Sequence, residues 1–213
     1  LAYIDERSKQ EPWQLSLGVF GAGQGAHYTR SFSSPLVIVQ AETQQRFFTG
    51  QTGNYRLYYW RNGQANDYAG GAERHTGWGL SADQSVGDAV TLFGRYGHQS
   101  SGQVRFDRAL TLGAEIGGNY WNRSGDVIGV AAGRLRTSKD FARDSASIDA
   151  DGDGLPDYGF AAGGAERIVE LYYRYRINKQ IELTPDYQII ATPGGNTTAP
   201  TLRVAGLRLQ LSY

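Results

Sequence analysis

Apolar and polar side chains alternate one for one along about ten stretches of this chain, each roughly 8–14 residues long, and no helical period of comparable strength competes with them. A β-strand turns successive side chains to opposite faces, so such stretches predict a sheet with one apolar and one polar surface. The stretches fall near 13–21, 34–47, 53–62, 73–84, 88–98, 107–118, 124–137, 165–177, 180–191 and 202–213. The clearest hairpin runs from Ile168 to Ala191. Val169, Leu171, Tyr173, Tyr175 and Ile177 share one face of its first strand, and Glu170, Tyr172, Arg174 and Arg176 the other. After the short turn Asn178-Lys179, Ile181, Leu183, Pro185, Tyr187 and Ile189 oppose Glu182, Thr184, Asp186 and Gln188. Leu207, Leu209, Leu211 and Tyr213 then alternate with Arg208, Gln210 and Ser212.

A soluble sandwich also alternates, so the connections have to separate it from a membrane barrel. Links near 22–33, 63–72, 99–106, 138–164 and 192–201 are long and rich in Gly, Ser, Asn or Asp. Those near 48–52, 85–87, 119–123 and 178–179 are short, and the two kinds take turns. That order is expected of an up-and-down barrel with long outer loops and short periplasmic turns, and it puts the C-terminus on the periplasmic side. The chain is too polar for helical spans, with mean hydropathy −0.46, and no stretch approaches 18 apolar residues. Trp13, Phe47, Tyr55, Tyr59, Trp78, Tyr96, Tyr120, Trp121, Tyr187 and Tyr213 are expected near strand ends, where amphipathic rings meet the membrane interface.

Twenty-one basic residues balance 21 acidic ones without basic runs, which argues against nucleic acid as a partner. The absence of cysteine removes disulfides, thiolate metal sites and cysteine nucleophiles. The opening Leu1-Ala2-Tyr3-Ile4-Asp5 carries no basic-then-apolar leader, so an export signal has been removed or the chain starts inside a longer protein.

Several runs carry a signal more specific than alternation. They are Gly53-Asn54-Tyr55-Arg56-Leu57-Tyr58, the Gly77 to Gln84 run, Leu92-Phe93-Gly94-Arg95-Tyr96-Gly97, Gly117 to Trp121 with Asp126 to Ala131, and Glu170 to Tyr175. The most specific is Leu183-Thr184-Pro185-Asp186-Tyr187-Gln188 before a strand that ends the sequence, and together these runs resemble the carbohydrate-selective porin family called OprB-like. The resemblance covers most of residues 50–213, looks like the C-terminal part of the family pattern, and implies an antiparallel transmembrane β-barrel of about sixteen strands. About ten strands alone would enclose a lumen filled by side chains, so N-terminal strands are expected to be missing. On this reading residues 1–213 are a single barrel domain or its C-terminal portion, with a long outer loop near 138–164. The implied function is passive diffusion of sugars and other small polar solutes, ions included, across a Gram-negative outer membrane, without enzymatic activity or a required cofactor. The implied partners are outer-membrane lipid, small sugars, the barrel assembly machinery during biogenesis, and further copies in a homotrimer.

By parity, the inward-facing residues are Glu42, Arg46, Arg56, Arg95, Glu115, Glu170, Arg174, Arg176, Glu182, Asp186 and Arg208, with Tyr58, Trp60 and Tyr172 as ring surfaces. Opposed charges across a lumen create a transverse field, and rings can stack on sugar faces. Each residue taken alone also reads as a solvated wall charge. Asp149, Asp151, Asp153 and Asp157, with Gly154 for a sharp turn and the Leu155 carbonyl, resemble the opening of a calcium loop, yet Phe160 stands where a bidentate Glu belongs. Calcium and a merely solvated acidic loop both stay open. His27, His75 and His98 lie far apart in sequence near the expected outer rim without metal-ligand spacing, and Gly21-Ala22-Gly23-Gln24-Gly25 lacks dinucleotide-binding spacing. Pro185, without an amide donor, is expected to mark a bulge or strand end. Two rival functions are a rim-active barrel protease or lipid hydrolase, drawing on those histidines and nearby acids, and a purely structural barrel.

Overall fold

Residues 2–5, 12–22, 33–48 and 50–212 are described by a computed structural model. Their strands are β1 (Ala2–Asp5), β2 (Trp13–Phe20), β3 (Leu36–Phe48), β4 (Gln51–Asn66), β5 (Ala72–Val86), β6 (Val90–Ser101), β7 (Phe106–Gly117), β8 (Val127–Thr137), β9 (Ala165–Arg176), β10 (Ile181–Ala191) and β11 (Leu202–Leu211). Each pairs antiparallel with its neighbours in the sequence, giving one sheet in the order β1 to β11. β1 and β11 are its edges among the described residues, so the wall is that of an open barrel. Among the described residues no helix is long and apolar enough to cross a membrane.

The register sorts side chains into rows by character. Leu57, Leu80, Tyr96 and Leu110 are partners on four successive strands, while Glu42, Arg56, Ser81, Arg95 and Thr111 follow one another on the opposite face. The apolar rows are the exposed ones: Leu57, Leu112, Leu171 and Leu209 show 53–59% of their surface, and Leu207 shows 69%. Soluble monomers rarely present a continuous apolar surface of this extent, whereas lipid would cover it.

Among the described residues a conventional core exists only in the loops. Phe141, Ile148 and Ala162 are buried there, with Tyr68, Ala69, Tyr158 and Phe160 packed on them. The helix α1 (Lys139–Asp144) is capped by Ser138, whose Oγ accepts from the Phe141 amide at 3.1 Å and donates to the Val104 carbonyl. Tyr68, from the β4–β5 link, donates to Asp144 at 2.7 Å, and Tyr158 donates back to the Tyr68 carbonyl at 2.9 Å. Burial and the Asp144 carboxylate push the Tyr68 phenol up to about 12. The 138–164 loop is thus folded and pinned to its neighbours.

Four expectations need correction. The four-residue β1 is too short to show a period. The links 67–71 and 102–105 are shorter than the turn 118–126, so long and short connections do not strictly take turns. Ahead of the first of these, a bulge between Asn62 and Ala65 takes up one extra residue of β4 and lets pairing continue to Asn66 opposite Ala72. Among the rings, Trp13, Phe47, Tyr55, Tyr120 and Trp121 lie toward the short-turn end, but Tyr59, Trp78, Tyr96 and Tyr187 lie mid-strand, because strands such as β4 and β5 run to 16 and 15 residues. Pro185 makes no bulge. Its register with Leu207 is unbroken, and the β9 ladder resumes in the same register after skipping Thr184 and Pro185, where the missing amide removes a donor. Tyr213, His27 and Gly23-Gln24-Gly25 lie outside the described residues.

Candidate functional site: the polar face of the sheet

The polar face carries a ladder of ion pairs that crosses β3 to β6. Arg56 on β4 reaches Glu42 on β3 at 3.1 Å and Asp83 on β5 at 2.8 Å, and Arg95 on β6 reaches the second Asp83 oxygen at 3.4 Å. Two guanidiniums and two carboxylates therefore alternate across four strands, with Asp83 reaching in diagonally from two residues beyond Ser81, the register partner of both arginines. Gln40 donates to Glu42 at 3.2 Å and extends it. Asp83 is the residue that sequence reading overlooked. Its parity was legible, since Trp78, Leu80 and Ala82 take the other face, but a single acid between Ala82 and Gln84 gave no separate signal.

A second cluster spans β7 to β11. Tyr172 donates to Glu115, Gln188 donates to Glu170 at 3.2 Å, and Arg176 binds Glu182 at 2.6 Å. Arg174 and Arg208 have no carboxylate partner among the described residues, and the Arg174 Nε is buried without a hydrogen bond. Thr184, opposite Arg208 in the ladder, sits in the row of Arg174, so the two arginines stand on the strands either side of one threonine. Asp186 is next to Gly206 and likewise has no ion pair among the described residues. Arg46, beside the bulge between Gln45 and Phe48, is exposed and unpaired among the described residues.

The rings of this face lie against the wall rather than across the space in front of it. Tyr58 covers Gly79, Trp60 covers Gly77, and Tyr172 covers Gly129 on the neighbouring strand. A Cβ at Gly77 would come 2.7 Å from the Trp60 ring, and one at Gly79 or Gly129 would overlap the phenol above it. Glycine at these positions is what lets a large ring fold flat while presenting one π-face outward.

At the short-turn end, Asp126 is 1% exposed and gathers Arg123 Nε at 2.5 Å, the Tyr173 hydroxyl at 2.5 Å and the Arg176 amide at 3.0 Å. The Arg123 guanidinium, aided by these donors, holds its carboxyl down at about 2. Trp121 donates to the same Tyr173 hydroxyl at 3.2 Å. The function of this knot is to fix the turn 118–126 to β9.

In the loop, the carboxylates of Asp149, Asp151 and Asp153 each offer an oxygen within 4.8 Å of the others. Asp149 already accepts from the amides of Gly152, Asp153 and Gly154, Asp153 from Leu155, and Asp157 from Ala150. Phe160 packs on the loop core, which accounts for an aromatic ring at the twelfth position. His75 is buried 3.4 Å from Glu73, and His98 lies on the other face with its ring 5.8 Å from Trp78, so the structure does not bring these two together.

Comparison with known proteins agrees with this architecture. The model of the family described as carbohydrate-selective porin, OprB family, matches residues 7–213. Porin AaxA of Chlamydia pneumoniae is 29% identical over 138 residues, 64% of this chain and 28% of that protein. Porin B of Pseudomonas aeruginosa is 26% identical over 189 residues, 76% of this chain and 41% of that protein. The chain thus spans less than half the length of these curated relatives. A solved structure of Pseudomonas putida OprB, determined at high pH, matches 100% of this chain and 58% of its own with a TM-score of 0.79 at 21% identity, which shows a shared fold.

Proposed function

This chain belongs to the carbohydrate-selective porin, OprB family, and we propose that it forms the C-terminal portion of an outer-membrane barrel of about sixteen strands through which sugars and other small polar solutes diffuse. The observation that carries the reading is the division of one sheet into an exposed apolar face and a face of paired charges. Lipid suits the first and water the second. Membership in a porin family implies a channel rather than a catalyst. On this reading the long loop 138–164 is extracellular and the C-terminus periplasmic, and copies assemble as a homotrimer.

Selectivity then comes from wall chemistry. The ladder Glu42, Arg56, Asp83 and Arg95 offers donors and acceptors in alternation, which suits an uncharged polyol more than any one ion. Tyr58, Trp60 and Tyr172 offer flat ring faces for sugar C–H groups. Arg174 and Arg208 supply guanidinium donors with no carboxylate to compete.

Planar-bilayer recording on the full-length protein tests this. Sugar should block ionic current in a concentration-dependent way, and replacing Arg174, Arg176 and Arg208 together by Gln should weaken the block. An unchanged block in a folded, conducting variant would remove these residues from the lumen.

A further inference from the structure

On the apolar face, near the long-loop ends of three adjacent strands, four arginines stand where lipid-facing side chains belong. Arg108 on β7 is directly opposite Arg136 on β8, and Arg134 on β8 is directly opposite Arg167 on β9. Their face is set by their neighbours: Leu110 and Leu112 follow Arg108, Ala132 and Val130 follow Arg134, and Val169 and Leu171 follow Arg167, all on the exposed side. Arg108, Arg134 and Arg167 are exposed and Arg136 half-buried. None of the four side chains has a hydrogen bond or ion pair among the described residues, unlike those of Arg56, Arg95, Arg123, Arg143 and Arg176. The acids nearest in sequence, Asp107 and Glu166, belong to the other face by parity. Like charges placed directly opposite in an antiparallel pair repel, and this patch contains two such pairs side by side. Such an arrangement calls for an anion supplied from outside the wall.

Beside the patch, the cross-strand partner of Arg134 is Leu110, and Leu110 and Leu112 form one bank of an apolar groove of about 530 Å³ that continues past Tyr96, Leu80 and Leu57. Cationic forks next to an apolar groove complement a molecule with a phosphate head and a hydrocarbon tail. We propose that Arg108, Arg134, Arg136 and Arg167 bind the phosphate of a phosphorylated glycolipid in the leaflet at the long-loop end, with an acyl chain along the groove. Guanidinium binds phosphate through two parallel hydrogen bonds, and a site within the last few residues of a strand lies at headgroup rather than hydrocarbon depth. The proposal rests on the membrane-spanning reading of the sheet, though not on sugar passage.

The test is native mass spectrometry of the full-length protein folded in detergent, titrated at fixed salt with a diphosphorylated glycolipid, with the same lipid after dephosphorylation, and with inorganic phosphate alone. The phosphorylated lipid should bind at least about tenfold more tightly than its dephosphorylated form, and inorganic phosphate should not compete at equal concentration. Replacing Arg134 and Arg167 by Gln, then all four arginines, should weaken binding in two steps of about tenfold or more each, while single-channel conductance stays that of the parent. Equal affinity for the two lipid forms overturns the proposal and needs no variant, so a variant that fails to fold leaves it testable. Competition by inorganic phosphate would reduce the site to a simple anion site. Loss of trimers in the Gln variants without loss of lipid would make the patch a subunit contact instead. Conductance recorded on the same preparations separates the two readings, because a protein that discriminates the lipids but does not conduct sinks only the pore.

Discussion

Arg56 Nη1 lies 2.8 Å from Asp83 Oδ2 across the β4–β5 ladder, and the other Asp83 oxygen faces Arg95. One carboxylate thus holds two guanidiniums of the polar face in place. Asp83→Asn should leave the fold nearly unchanged, because pairs about a quarter exposed contribute only about 0–1 kcal/mol each. Its effect belongs to the field of the wall. Two arginines gain freedom and one negative charge is lost, so the reversal potential in a salt gradient should shift toward anions. A variant with parental ion selectivity would show that the ladder faces away from the ion path.

The rings of that face make a second prediction. Gly79→Val puts a branched side chain where the Tyr58 phenol lies, and Gly129→Val does the same beneath Tyr172. Each ring must swing off the wall into the space in front of it, at a cost of roughly 1–3 kcal/mol as for other overpacked sites. Conductance should fall in both variants, and adding Tyr58→Ala to Gly79→Val should restore it. Failure of that rescue would mean that the glycine serves the backbone rather than the ring.

Asp126 gives the pH dependence. Its carboxyl is held at about 2 against an ordinary 3.8, so the folded state prefers the ionised form more than the unfolded chain does. The resulting stabilisation is fully present above pH about 4 and is lost as pH falls toward about 2. Asp126→Asn removes the charge at every pH and leaves Arg123 and Tyr173 short of an acceptor, costing about 1–3 kcal/mol at neutral pH. Trp121 fluorescence during denaturant unfolding in detergent reads this turn directly. The parent should lose its advantage over the variant between pH 4 and 2, and a constant difference across that range would contradict the assignment.

How far these features could be read in the sequence depends on which had a period. Ten strands were legible to within a few residues, because the alternation of residues such as Val169, Glu170, Leu171 and Tyr172 is imposed by the two solvents on either side of the wall. The same parity placed Glu42, Arg56, Arg95, Arg174 and Arg208 on one face. It could not place partners, since which residue of β5 meets Arg56 depends on register, and register depends on turns and bulges such as that after Asn62. For the same reason the four arginines opposite one another on β7, β8 and β9 looked like scattered charges. The loop core was invisible too, because Phe141 and Tyr68 are brought together by tertiary packing over a separation that no local pattern reports.

That loop core supplies the last prediction. Phe141 is fully buried, with the Tyr158 ring 4.9 Å and the Tyr68 ring 5.3 Å away, and it is the buried side chain of a six-residue helix that has little stability of its own. Phe141→Ala deletes the centre of a cluster of only three buried apolar residues, so the expected loss of roughly 3–5 kcal/mol exceeds what so small a unit holds. The sheet, whose hydrogen bonds do not pass through the loop, should remain folded and heat-resistant. Limited proteolysis should therefore cut between residues 138 and 164 in the variant and spare the parent, and current recordings should show larger open-channel fluctuations as the freed loop moves over the polar face. Cleavage at equal rates in both proteins would mean that the Ser138 cap and the Tyr68 to Asp144 hydrogen bond hold the loop without its core.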